Sequence, residues 1–324
     1  MIKVTLLIYS GRENYSRYYD SHSDEANDLL TLFNGNLAGI NFGEHDGKLG
    51  FSGFFVQLSD DTEIGRSKYR LPKSFYICDG QAPNIEESKQ LGFELIDIFN
   101  LDPELNYQII KEIESVQSKK TNVLSGLMEG DEQEPSQGQG DLHDVFNYNI
   151  HDIKFTNPAT GSVYSMQAGL YKKDFWNVPE YIGFNNCYAY ACNYASKSYP
   201  QPGRFGKKPL RYNTQDLVDS IIADGLIAID DFNDEDADDK YRPNYVVSLY
   251  TYSDNQVFWD YHFYRVVLGI NDKKNRFWGH KPGRSSVRRR DNSGEIIYDP
   301  CYCDRGLYTN FSGLFIVSNK VKII

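Results

Sequence analysis

The chain has 324 residues, long enough to suggest two domains rather than one ordinary core, and its 40% hydrophobic share is that of a folded globular protein. A formal net charge of −11 argues against a general polyanion-binding role, because nucleic acid or an anionic bilayer would be repelled except at a local basic patch. The 25 Tyr and 19 Phe favour aromatic-packed sheets, so the expected fold class is α+β.

The apolar run at residues 1–8 is short and is followed by Ser10-Gly11-Arg12 without a small-residue cleavage site, so it reads as a first strand rather than a signal peptide. No stretch approaches the roughly 20 apolar residues of a membrane helix. Five Cys is an odd number without framework spacing, which fits a reducing, cytoplasmic setting.

Residues 1–117 read as a small α/β accessory domain of unknown role. Strands are expected at 4–9, 50–58 and 74–78, and helices at 24–33, 86–99 and 103–116, with Asn100 and Asp102 as boundary signals. Ser10-Gly11-Arg12 falls inside this domain. Residues 118–144 are rich in Gln, Glu, Gly and Ser and cannot bury enough surface to offset their ordering entropy, so they read as a flexible linker.

From residue 145 to 324 the composition is globular again. A hairpin is expected over 155–168 with its turn at 157–161, a helix starting at Cys187, and a second helix over 215–223 capped by Thr214 and closed by Asp224-Gly225. Strands follow at 246–252, 262–270 and 276–280, the last two joined by a tight turn at 271–275.

Three constellations carry chemistry. In Asn185-Asn186-Cys187-Tyr188-Ala189 the thiol sits at a helix start, where orphan amides favour the thiolate. The Cys187 amide with Asn186 or Asn185 would hold an oxyanion. The strand Asp260-Tyr261-His262-Phe263-Tyr264-Arg265 puts His262 and Tyr264 on one face, and Trp278-Gly279-His280 on the returning strand brings His280 level with His262. A base that takes the thiol proton, with a third group fixing its tautomer, is what nucleophilic catalysis by Cys requires.

This order of helix-start Cys, strand His and next-strand polar residue resembles the papain-like cysteine peptidase and amidase superfamily, in particular its CHAP and NlpC-type branches. The strings at 260–265, 278–283, 291–294 and 297–300 are similar to those of poorly characterised bacterial proteins. The resemblance implies a papain-like C-terminal domain, a nucleophile helix packed on an antiparallel sheet, with Cys187 as nucleophile, His262 as base and His280 as the third member.

The expected function is therefore hydrolysis of a peptide or amide through a thioester, which uses neither metal nor organic cofactor. Two alternatives stay open: a non-catalytic binding or structural module on the same frame, and a thioester-based acyltransferase. Asp299 is a second candidate orienter. The basic stretch from Arg276 to Arg290 suits an acidic substrate, with Trp278, Lys281, Arg284 and Tyr264 as contact candidates, or else is a solvated face. Cys301 and Cys303 lack the further partners a zinc site needs. The acidic run 230–239 lacks the glycine and terminal Glu of a calcium loop, and Gln201-Pro202-Gly203 reads as a plain turn.

Overall fold

The computed structural model describes residues 1–43, 45, 47–59, 71–117, 150–196, 198–210, 213–232, 242–253, 258–269 and 276–324. The expected linker at 118–144, the turn at 271–275 and most of the acidic run lie outside the described residues. The chain is a mixed α+β protein and divides into two compact units, Met1–Ile8 with Glu13–Met128, and Tyr9–Arg12 with Glu129–Ile324. Ser10-Gly11-Arg12 thus belongs with the C-terminal residues and not with the accessory domain, a correction to the sequence reading.

The first unit is built on β1 (Ile2–Leu6), β2 (Ser16–Tyr19), β3 (Ile40–Asn41), β4 (Phe54–Leu58) and β5 (Ser74–Ile77), antiparallel in the order β2-β1-β4-β5-β3. Ile2, Val4 and Leu6 alternate along β1 and are buried, as the period of two demands. Helices α1 (Asp24–Gly35), α2 (Ile85–Ile96) and α3 (Pro103–Ser115) start on Ser23, Asn84 and Asp102, whose side chains each accept the first orphan amides. Helix α2 runs into a short 3-10 turn, and Asn100 follows in the left-handed conformation at φ 48°, so the expected boundary is realised by a residue type that tolerates it. In α3 the buried residues Leu105, Ile109 and Ile113 recur at four-residue spacing and form the stripe that packs inward.

The second unit contains β6 (His151–Thr156), β7 (Val163–Leu170), α4 (Lys173–Trp176), α5 (Pro179–Ile182), α6 (Cys187–Ala191), α7 (Thr214–Ala223), β8 (Ile227–Ala228), β9 (Tyr245–Ser253), β10 (Phe258–Leu268), β11 (Arg276–His280) and β12 (Asn310–Val317). Its sheet runs β11-β10-β7-β9-β12-β8, with β6 paired to β7. Strands β9 and β10 pair antiparallel from Ser253 and Phe258 to Val247 and Arg265, and β7 then enters between them, parallel to both. The cap of α7 is Asn213, which accepts from the Asp216 amide, and not Thr214; the Asn side chain reaches the third amide from one residue earlier.

Two features of this sheet position the site. Strand β11 pairs with β10 only from Tyr264↔His280 to Leu268↔Arg276, which leaves residues 258–263 of β10 unpaired on that side by β11. The short helix α6 packs on one face of β10, where Cys187 and Tyr188 share a core with Tyr261, Phe263 and Val247. Among the described residues no helix is long and apolar enough to cross a membrane.

Candidate functional site

Asn186 is the N-cap of α6: its Oδ1 accepts from the Ala189 amide at 3.0 Å, which starts the helix at Cys187. The thiol does not become a stabilised thiolate there. Cys187 is completely buried, its Sγ lies 3.7 Å from the Tyr261 carbonyl oxygen, and its pKa is pushed up to about 12, first by burial and then by the charge of Asp260. A helix of five residues offers too little dipole to offset that desolvation. The expected thiolate is therefore a protonated thiol in the folded chain.

His262 and Cys187 belong to different faces of β10. Successive side chains alternate, so Tyr261 and Phe263 sit under α6 while His262 lies with Tyr264 (ring centroids 4.8 Å apart) and Tyr308 (5.6 Å). His262 Nε2 and His280 Nδ1 are 2.8 Å apart, and His280 Nε2 lies 2.9 Å from the Arg290 carbonyl oxygen. The other ring nitrogen of His262, Nδ1, bonds to the Ser10 hydroxyl, which is also a hydrogen-bond partner of the Cys187 thiol. The Ser10 hydroxyl is thus bonded both to the thiol and to His262.

The direction of this relay follows from its end. A carbonyl only accepts, so His280 Nε2 carries the proton. Burial lowers both imidazoles, His280 to about 4 and His262 well below its ordinary value, so both rings are neutral near pH 7. His280 Nδ1 then accepts from His262 Nε2–H, which leaves the lone pair of His262 Nδ1 for the Ser10 hydroxyl proton. His280 is thus the residue hydrogen-bonded to His262. Asp299 is not: its Oδ1 caps a 3-10 turn by accepting from the Cys301 amide at 2.8 Å.

Asp260 holds the segment that carries Ser10. At a register shift in β10, its buried carboxylate accepts from the amides of Ser10 at 2.6 Å, Gly11 at 3.1 Å and Arg12 at 2.8 Å, and from the Tyr308 hydroxyl at 2.6 Å. Burial still raises its carboxyl above the usual range. Two glycines allow the fit. A Cβ on Gly11 would run into the Tyr261 ring, and one on Gly283, at φ +51°, would come to 2.9 Å from the Tyr9 carbonyl oxygen.

The carbonyl oxygen of Gly11 is the acceptor for two side-chain amides, Asn186 Nδ2 and Gln201 Nε2, each at 2.8 Å. Asn186 also donates to the Pro200 carbonyl at 2.7 Å. Gln201 belongs to the turn that read as plain in the sequence. That turn is clamped by Asp224, which accepts from the Gly203 and Gly206 amides and from the Tyr188 hydroxyl. Asn185 has a bracing role instead, donating to the Tyr181 carbonyl and accepting from the Ser196 amide.

The expected substrate contacts are largely internal. Lys281 is fully buried and donates to the carbonyls of Ile182, Gly283 and Ser285 at 2.7–2.8 Å, while burial and Arg284 push its pKa down. Tyr264 is buried and stacks on His280 with centroids 5.1 Å apart, and Trp278 packs edge-on against Phe155. Arg284 donates to the Gly183 carbonyl and lies over the Tyr199 ring. The stretch is not an open basic face because its two innermost members, His280 and Lys281, are consumed by the fold. Among the described residues no group of three or more His, Cys, Asp or Glu could hold a metal ion.

No family model matches the chain, and no solved structure matches it. It is 30% identical over 154 residues to insoluble matrix shell protein 1 of Ruditapes philippinarum, a match that covers 47% of this chain and 93% of that protein. The chain belongs to the insoluble matrix shell protein 1 family. The matched stretch is nearly the whole of the shell protein and under half of this member of the insoluble matrix shell protein 1 family.

Proposed function

We propose that the chain is a papain-like cysteine hydrolase, a peptidase or amidase, held latent by its own residues 9–12. The observation that carries this reading is the pair of amides, Asn186 Nδ2 and Gln201 Nε2, that converge on one carbonyl oxygen, the first of them from the residue that caps the helix starting at Cys187. Two preorganised donors on a carbonyl oxygen are what an acyl-transfer centre needs to hold an oxyanion. With the segment withdrawn, one water takes the place of the Ser10 hydroxyl between the thiol and His262 Nδ1 and carries the thiol proton to the imidazole, and Gly11 frees both donors for a substrate carbonyl. The sulfur then adds to that carbonyl, His262 returns the proton to the leaving amine, and water hydrolyses the thioester to regenerate the thiol. Transfer of the acyl group to an amine in place of water uses the same steps.

A second reading, a structural or binding module without turnover, is favoured by the complete burial of Cys187 and His262 and by a relative named for an insoluble shell matrix. Gly11→Ala separates the two, because its Cβ would fall 2.3 Å from the Tyr261 ring as it lies, and the segment is expected to be displaced. The expected result is hydrolysis of peptide amides about a hundredfold faster than by the wild type, the lower end of what a general base contributes, and lost again on adding Cys187→Ala or His262→Ala. No turnover by either Gly11→Ala or Arg12→Glu would decide for the structural module.

A further inference from the structure

The groups around residues 10–12 do more than close a centre; each reads one feature of the segment. Asp260 takes three successive backbone amides, which a peptide turns toward one carboxylate only where it bends, as residues 10–12 do, and which no small amide presents. Asn186 and Gln201 take the carbonyl of the middle residue. The Tyr261 ring fills the space where that residue's side chain would begin, so any residue but glycine must displace the ring or the segment. The next residue is a cation: the Arg12 guanidinium lies 5.7 Å from the Phe258 ring centroid, and its Nη1 donates to the Trp259 carbonyl at 3.1 Å. An aromatic face and a carbonyl oxygen both select positive charge.

From this we infer that the Tyr261–Asp260–Phe258 stretch of β10 is a peptide-recognition groove for a bent segment in which glycine is followed by a basic residue, and that residues 10–12 are its built-in occupant. The inference rests on the latent-hydrolase reading for its consequence, cleavage or transfer at a Gly-basic bond, but the recognition itself does not require turnover. A peptide offered in trans competes with the tethered segment, so the wild type masks the groove by effective concentration.

The test uses the full chain and the fluorescein-labelled peptide Tyr-Ser-Gly-Arg-Glu, followed by anisotropy. Gly11→Ala, whose own segment no longer fits, is expected to bind it saturably, and the wild type to bind it about tenfold or more weakly. Replacing the peptide's glycine by alanine, or its arginine by glutamate, is expected to weaken binding to Gly11→Ala by about tenfold or more. Arg12→Glu, which loosens the segment without touching the groove, serves as the second opened variant. Failure of both variants to bind the peptide, or equal binding of all three peptides, would overturn the inference. Selective binding with no cleavage would leave the groove in place and sink only the hydrolase reading; cleavage of amides regardless of a Gly-basic pair would do the reverse.

Discussion

Lowering the pH from about 7 to about 4 should cost the second unit about 3 kcal/mol of stability through His280 alone. Burial depresses its imidazole from the ordinary 6.5 to about 4. Between those values the unfolded chain binds the proton and the folded chain does not. The contribution is therefore fully present above the unfolded value and is lost as pH falls through the folded one. His262, lowered by burial and by its partner ring, acts in the same direction. Asp260 opposes it, since a carboxyl raised by burial gains stability as pH falls. Urea midpoints across this range should drop steeply in the wild type and more shallowly in His280→Gln. A midpoint that does not move, or one that moves equally in both proteins, would show that the neutral relay does not exist.

Asp260→Ala should be among the most damaging single substitutions in the second unit, at about 4 kcal/mol. It leaves the amides of Ser10, Gly11 and Arg12 and the Tyr308 hydroxyl without their acceptor inside the protein. Asp260→Asn retains one carbonyl oxygen but turns a donor toward the amides, and should lose about half as much. The local consequence is measurable apart from the global one. Trypsin should cut after Arg12 in Asp260→Ala under conditions where the wild-type segment, held by Asp260, Asn186 and Gln201, is protected. An Asp260→Ala protein that unfolds with the wild type and resists trypsin at Arg12 would mean that the carboxylate does not hold the segment.

The elements around the chemistry were legible because each is marked locally. The Asn-Asn-Cys start of α6, the alternation of β10 and the return strand carrying His280 are short-range patterns, and His280 lands opposite Tyr264, one step from His262. Asn100 and Asp102 marked real helix boundaries for the same reason. What decides the state of the centre is long-range. Ser10 lies 252 positions from His262, and nothing in Ser10-Gly11-Arg12 announces that it packs with residues so far along the chain. Gln201 was hidden because a side-chain amide in a Pro-Gly turn looks the same whether it faces water or a carbonyl. Asp260 stands in a string that the sequence marks, but its role depends on residues 10–12, about 250 positions away.

Helix position and burial act on the Cys187 thiol in opposite directions, and burial wins. Helix position predicts a lowered pKa, worth fractions of a kcal/mol to about 2 kcal/mol, whereas complete burial disfavours the charge by more. The same competition explains Lys281, which read as a surface cation for substrate and instead holds three loop carbonyls together.

Whether residues 9–12 close a reactive thiol is tested most directly by the rate at which iodoacetamide alkylates Cys187, read by peptide mass mapping, with the exposed Cys301 as internal reference. A shift from the ordinary 9.0 to about 12 leaves about a thousandfold less thiolate. Cys187 should therefore react at about a thousandth of the rate of an ordinary free thiol in the wild type or more slowly, and so more slowly than Cys301, overtake Cys301 in Gly11→Ala, and fall back when His262→Ala is added. Equal rates for the two thiols in the wild type, or a Cys187 that stays inert once the segment is displaced, would contradict the account.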